Sequence, residues 1–424
     1  MATFTVYARQ LEKPTLRFDY AIPTSRAKSA RTGMLKYGPY DKNLFQGAIK
    51  AAIISPAIYE AKVKTLIRYL KEGIEGYPGF KQEFRADLNL VSYRLKSVTR
   101  KDYEEACKKI VRDSFDLVFV VAERKPALGD LYSHIKTRLL GNGIPSQFID
   151  IDTLLSPPSQ QRWIVENIAL ASYAKVGGTP WVIEAPEDRD EVVIGMSRAL
   201  DPTHKVIVGF TTVFKHNGDF ILSHSRSPVT TWEEYETGLE RLVREAIEEY
   251  SRRESTPQSL VFHFHKRTGH REIESVKRAL QDLGRNVKYA LLHVNSYSNY
   301  RLFDTSHPTF VPLTGLMVRL GSRNALLLSS GRVEGYGRTM IGTPRVLHII
   351  MDKNSTMDFG EFPRLVTQLY HFAYINWRGF NARTVPVTIN YSQLISRLVA
   401  NLESIEAWNE IVASGRLVDK AWFL

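Results

Sequence analysis

Residues 116–151, DLVFVVAERKPALGDLYSHIKTRLLGNGIPSQFIDI, decide the fold. An unbroken apolar run comes first, then a helical segment closed by the reversal at Gly141 to Gly143, then a second apolar run. Apolar runs without polar alternation suit strands covered on both faces, as parallel sheets flanked by helices require. The same alternation extends in both directions. GAIKAAII precedes YEAKVKTLIRYLKEGI, DLNLVSYRL precedes KDYEEACKKIVRDS, and SPPSQQRWIVENIALASYAKVGG precedes WVIEA. Residues 45–185 therefore predict a doubly wound, Rossmann-like α/β domain. Asp130 is the expected cap of the helix carrying Tyr132, and Ser156 the expected cap of the next, with Pro157 in its first turn. Gly177 and Gly178 supply the left-handed backbone that ends that helix.

The remainder has a different order of elements. EVVIGMS reads as a strand, and KVIVGFTTVFKHNGDFILSHS as a hairpin turning at Asn217 and Gly218. Thr230 and Glu233 match a capping box ahead of a long helix. The strand SLVFHFH, the helix REIESVKRALQDLG and the strand VKYALLHVN follow, then strands at NALLLSS and RVLHIIM and two closing helices. Three strands, a helix, a strand, a helix and a strand is the order of ribonuclease-H-like folds.

With 424 residues the chain is long enough for two cores. The expected division is 1–40 as strands packing on the last domain, 41–184, and 185–424. Lys and Arg total 57 against 45 Asp and Glu, a net charge of +12 that favours a polyanionic partner. The one cysteine, Cys107, excludes an internal disulfide and fits a reducing compartment. MATFTVYARQ alternates like a strand and lacks the pattern of an export signal, and no apolar run reaches membrane-span length, so a cytoplasmic protein is expected. No G-x-G-x-x-G or Walker sequence supports an ordinary nucleotide-binding enzyme.

Tyr132 and Lys136 stand four apart on one helix face, and Asn167, Ala171 and Lys175 recur at the same step on the next. If those helices pack together, two ammonium groups, an amide and a phenol converge. Like charges brought that close call for an anion between them, and a terminal phosphate meets the need.

These residues carry a resemblance. LYSHIK followed by IPSQF and SYAKVGGTPW resembles the guide-end pocket of the MID domain in prokaryotic Argonaute proteins, and NWRGFNARTVPVTINYSQL with the terminal WFL resembles their PIWI domain. The proportions resemble the short archaeal type that lacks a PAZ domain. The resemblance implies that Tyr132 stacks on the first guide base while Lys136, Gln147 and Lys175 hold its 5′-phosphate. It also implies that Asn167, Arg378 and Arg383 contact the guide backbone, and that the carboxylate of Leu424 helps hold a magnesium ion between guide phosphates. Some relatives carry a glutamine where this chain has Ala171.

Ribonuclease-H-like cleavage needs carboxylates to hold two metal ions. The positions the resemblance assigns to them carry Ser197, His265 and Gln393, so a PIWI domain that does not cut is expected. The alternative is an active nuclease with displaced carboxylates, for which Asp201 and Asp219 are the candidates. His263, His265 and His270 form a weak zinc pattern, and packed histidines are the favoured reading. The implied function is guide-dependent recognition of a complementary strand, DNA favoured, by a short 5′-phosphorylated RNA or DNA guide. The implied setting is prokaryotic immunity, with a separate effector or N-domain-like protein or a second copy of the chain as partner.

Overall fold

The computed structural model describes residues 6–123, 131–185, 189–201, 206–225, 229–265, 269–282, 287–333, 343–400, 408, 411 and 415–424, with the side chains at 199–201, 206–208, 225 and 400 excepted. Asp130, the expected helix cap, lies outside them. Two compact units form. One holds Leu16–Val182, Trp377–Phe380 and Arg397–Leu424, and the other holds Met1–Thr15, Ile183–Asn376 and Asn381–Ser396.

The first unit contains β1 (Ile49–Pro56), α1 (Glu60–Glu72), β2 (Leu88–Leu95), α2 (Arg100–Asp113), β3 (Leu117–Ala122), α3 (Leu131–Gly141), β4 (Ser146–Asp150) and α4 (Pro158–Lys175). The four strands form one parallel sheet in the order β2-β1-β3-β4, as the apolar runs predict. Every residue of β3 is buried, and in β1 only Lys50 is exposed. Helix α1 buries Val63, Leu66 and Leu70, spaced three and four apart, so one stripe faces the sheet. Cys107 lies in the same core as Tyr103, Ile135 and Leu139, and burial pushes its thiol up to about 12, leaving it unreactive.

One boundary of α4 moves by one residue. The cap of α4 is Pro157 rather than Ser156, with Pro158 in the first turn, since proline has no N–H to lose there. The helix ends as expected, with Gly177 at φ +107° and the Gly178 N–H donating to the Tyr173 carbonyl at 3.0 Å.

The second unit contains β5 (Glu191–Asp201), β6 (Val206–Lys215), β7 (Phe220–Ser225), α5 (Trp232–Arg253), β8 (Ser259–His265), α6 (His270–Asp282) and β9 (Lys288–Asn295). It continues with β10 (Leu316–Gly321), β11 (Asn324–Leu328), β12 (Leu347–Met351), α7 (Phe362–Phe372) and α8 (Val387–Ala400). Its nine-stranded sheet runs Tyr7–Gln10, β10, β11, β12, β9, β8, β5, β6, β7. β8 lies parallel between β5 and β9, and β6 and β7 follow β5 antiparallel. That is the ribonuclease-H-like arrangement. β10 is a strand that the sequence reading did not single out. The capping box of α5 is Thr231 with Glu234, one residue after the expected pair, because the helix begins at Trp232.

The first forty residues divide between the units instead of joining the last domain together. Tyr7–Gln10 pairs antiparallel with β10. From Leu16 onward the chain packs into the first unit, where Leu16, Phe18 and Met34 are buried. There the guanidinium of Arg31 donates twice to the fully buried Glu166 carboxylate, each bond 2.7 Å. A buried carboxylate needs such a partner, which binds this segment to α4.

Helix α8 lies against β5 because Gly195 lets it. A Cβ at Gly195 would stand 2.3 Å from the Thr388 carbonyl oxygen and 2.6 Å from Thr212 Oγ1. Ser392 Oγ donates to the Thr388 carbonyl at 2.7 Å, and His263 Nδ1 lies 2.9 Å from Thr388 Oγ1. Gly195→Ala is expected to destabilise the fold by about 1–3 kcal/mol through overpacking against backbone. A urea midpoint equal to that of the wild type would contradict this close fit.

Candidate functional site

The site begins with a backbone carbonyl. β4 is an edge strand, and successive carbonyls along a strand point to opposite sides. The Pro145 carbonyl accepts from the Val118 N–H at 3.1 Å, so the Ser146 carbonyl points to the free edge. Two ammonium groups meet it there. Lys136 Nζ donates at 2.7 Å and Lys175 Nζ at 3.0 Å, and Lys175 also donates to Gln147 Oε1 at 2.5 Å. Lys136 and Lys175 are 3% and 1% exposed.

Local structure explains the convergence. Lys136 follows Ile135 on α3, a helix that buries Leu131, Ile135 and Leu139 at four-residue steps. Lys175 closes α4, in which every residue from Val165 onward except Asn167 is buried. Tyr132, one turn before Lys136, is 44% exposed and its ring centroid lies 4.7 Å from that of Phe148. Lys136 Nζ stands 5.7 Å from both ring centroids, within cation–π range.

Electrostatics make the pair unusual. Burial, then the Arg378 guanidinium, pushes the Lys136 ammonium down to about 7. Burial, then Lys136, then Arg378, pushes Lys175 well below the ordinary lysine range. Each cause disfavours positive charge. The three contacts engage three of the six N–H donors that two ammonium groups carry. An anion arriving here would meet donors already aimed and already stripped of water.

Tyr132, Lys136 and Lys175 lie together in one unit as their spacing suggests, but the amide that joins them is Gln147, which the resemblance supplied, and not Asn167. A doubly wound sheet offers its ligand crevice beyond the carboxyl ends of the strands, whereas Ser146 opens β4 at the amino end, beside Val118. The free edge, with its unpaired carbonyl, sets the position. Asn167 is partly exposed on α4, the lysines' hydrogen bonds go to Ser146 and Gln147, and Ala171 is buried.

Arg378 and Arg383 fall in different units. Arg378 is exposed and belongs with the lysines, held by Trp377, whose indole donates to the Trp181 carbonyl at 3.3 Å, and by Phe380, stacked on Trp181 at 5.7 Å. Arg383 is exposed in the other unit, its N–H donating to the Ala373 carbonyl at 2.8 Å. Leu424 is buried in the first unit after Ala421, Trp422 and Phe423. Among the described residues no three His, Cys, Asp or Glu side chains gather as a metal site. A C-terminal carboxylate alone offers too few hard oxygens for magnesium, so these residues fit the ion only as partners of phosphate oxygens.

In the second unit, two of the three positions that the resemblance singles out are in contact. Gln393 Nε2 on α8 lies 2.7 Å from His265 Nε2 at the end of β8. The parallel register of the two strands runs to Phe264 beside Met196, and His265 and Ser197 each follow by one residue. His263 is fully buried against Thr388 and burial holds it neutral, down to about 3, while His270 is exposed on α6. The three histidines therefore do not share a metal. Asp201 and Asp219 cannot share one either. Asp201 pairs with Val206 at one end of β6, and the Lys215 N–H at the other end donates to the Asp219 carbonyl. That leaves them roughly 30 Å apart at about 3.3 Å per residue. The side chain of Asp201 lies outside the described residues.

A ribonuclease-H-like sheet in one unit and a four-stranded parallel sheet with a basic edge site in the other define a class, and sequence comparison agrees with it. Residues 116–403 match the Piwi domain, and the chain belongs to that family. It is 26% identical to a Piwi protein of Archaeoglobus fulgidus, over 95% of this chain and 96% of that protein. It is 24% identical to a protein argonaute of Cereibacter sphaeroides, over 96% of this chain but 58% of that protein. Among solved structures, Clostridium butyricum Argonaute bound to a guide DNA and a 19-mer target DNA superposes with a TM-score of 0.76 at 17% identity, covering 93% of this chain and 53% of that one. Drosophila Piwi superposes at 0.73 and 17% identity, covering 98% and 56%. The chain thus spans little more than half the length of the Cereibacter and Clostridium proteins.

No helix among the described residues is long and apolar enough to cross a membrane. Sequence reasoning missed the Ser146 carbonyl and Phe148. The SQF triplet after a glycine turn was their only signal.

The lysine pair makes stability pH-dependent with a defined sign. Lys136 titrates near 7 when folded and near 10.4 when unfolded, so between those values the unfolded chain binds more protons. Unfolding free energy is expected to rise from pH 7 to pH 10 more in the wild type than in Lys136→Met. Parallel urea slopes for the two proteins across that range would refute the assignment.

Proposed function

We propose that the chain binds the 5′-phosphate of a short guide strand at the Lys136–Lys175 pair and uses that guide to recognise a complementary strand. The carrying observation is the pair of buried ammonium groups sharing one carbonyl, held close together with donors to spare. A phosphate supplies the negative charge that relieves their repulsion, Gln147 adds an amide, and the exposed ring of Tyr132 offers a stacking face for the first base. The Clostridium relative's complex with guide and target DNA supports the same reading. Specificity then comes from base pairing while the protein reads backbone and shape.

Cleavage is not part of this proposal. Ser, His and Gln bring no negative charge to positions 197, 265 and 393, whereas a two-metal site depends on it. A recognition protein of this kind acts through a separate effector, in a cytoplasmic defence role. Magnesium enters only with the guide, using the Leu424 carboxylate beside phosphate oxygens.

Equilibrium binding of one oligonucleotide with a 5′-phosphate or a 5′-hydroxyl, as RNA and as DNA, tests the proposal. Each buried lysine contact is worth about 1.5–3 kcal/mol, so Lys136→Met and Lys175→Met are each expected to cut the 5′-phosphate preference by roughly tenfold or more. Equal binding of both ends by the wild type would exclude the pocket.

The pH dependence has a sign too. A bound phosphate raises both lysine pKa values, so the complex takes up protons and affinity should fall as pH rises above 7. Affinity that is flat from pH 7 to 9 would count against a lysine-held phosphate.

A further inference from the structure

The second unit carries a strip of donors where a two-metal site would need acceptors. His265 and Gln393 touch at 2.7 Å and are both half-buried, so they are ordered yet reachable. Two nitrogens at that distance mean that the amide donates to the ring, or that its oxygen, turned inward, accepts from the ring N–H. Ser197 stands on the adjoining strand, partly exposed. The Tyr297 ring lies 6.2 Å from that of His265 and is 59% exposed, and the exposed Arg345 guanidinium sits 5.8 Å over Tyr297. Acidic groups on neighbouring elements are engaged by other partners: Asp352 by His293 at 3.0 Å, Asp304 by Ser306 and Arg332, and Glu272 by Arg198 and Tyr235.

In a two-metal nuclease, carboxylates hold cations and the cations hold the phosphodiester. Replacing the carboxylates with hydroxyl, imidazole and amide, and adding a guanidinium over an aromatic ring, reverses the local charge. We infer that this strip binds a backbone phosphodiester of the target strand directly, without a metal ion, with Tyr297 against the neighbouring sugar or base. The inference rests on the proposed guide-dependent function and adds a second holding point, in the other unit.

The test measures binding of complementary DNA by protein loaded with a 5′-phosphorylated DNA guide, in EDTA and in magnesium. A neutral methylphosphonate is moved along the target one linkage at a time. One linkage is expected to weaken wild-type binding about tenfold, equally in EDTA and magnesium, and to add nothing in the His265→Ala, Gln393→Ala double variant. Gln393→Glu is expected to weaken binding in EDTA and to recover with magnesium or manganese, which a purely structural role would not produce. A scan with no sensitive linkage, an effect additive with the double variant, or wild-type target binding abolished by EDTA while the guide is retained would each overturn the inference. Guide retention, measured in parallel with 5′-phosphate and 5′-hydroxyl guides, separates the two readings. Retained phosphate preference with a flat scan sinks only the strip. Should that preference be absent, unguided single-stranded DNA still reads the strip, through the metal dependence of Gln393→Glu.

Discussion

The Ser146 carbonyl accepting two buried ammonium groups is the interaction on which the first unit's chemistry depends. It follows from strand geometry. β4 ends the parallel sheet, alternate carbonyls face outward, and an unpaired carbonyl inside a protein needs a donor. Supplying that donor twice, from α3 and α4, ties both helices to the edge strand. The fold gains a closed edge at the cost of two desolvated cations. Neutral lysines would satisfy the carbonyl equally well, and burial drives them that way. An anion reverses the balance, since it makes the charged forms favourable where they already stand.

The second unit depends on a different constraint, the absence of a side chain at position 195. It lets α8 lie on β5 and thereby brings Gln393 to His265. The Thr212, Thr388, Ser392 and His263 cluster then replaces apolar packing with hydrogen bonds at that seam. Helix placement and the His265–Gln393 contact are in this way a single feature.

Much of this was legible in the sequence because period and order are local properties. The unbroken apolar runs of β1 and β3 gave the parallel sheet, and three strands followed by helix, strand, helix, strand gave the ribonuclease-H-like order. The four-residue step found Tyr132 and Lys136 on one face. What stayed hidden depends on register or on long-range packing. The direction of the Ser146 carbonyl requires knowing that Pro145 pairs with Val118, and no side-chain pattern encodes that. The entry of Trp377–Phe380 into the first unit joins residues some two hundred positions apart through the Trp181 carbonyl. Residues 16–40 pack elsewhere than expected because the partner of Arg31, the buried Glu166, lies 135 positions away in sequence. The capping boundaries slipped by one residue because Thr230 and Thr231, and likewise Ser156 and Pro157, offer adjacent alternatives that only backbone geometry separates.

The central claim is that Lys136 and Lys175 are held ready for an anion. Its most direct test is to follow the two side-chain amines by nitrogen-15 and carbon-13 NMR through a pH titration, first alone and then with a short 5′-phosphorylated oligonucleotide. The account predicts that Lys136 titrates near 7 in the free protein and that both lysines stay protonated to much higher pH in the complex. Lysines that titrate identically with and without the oligonucleotide would contradict it, and would leave the pair as nothing more than the closure of a sheet edge.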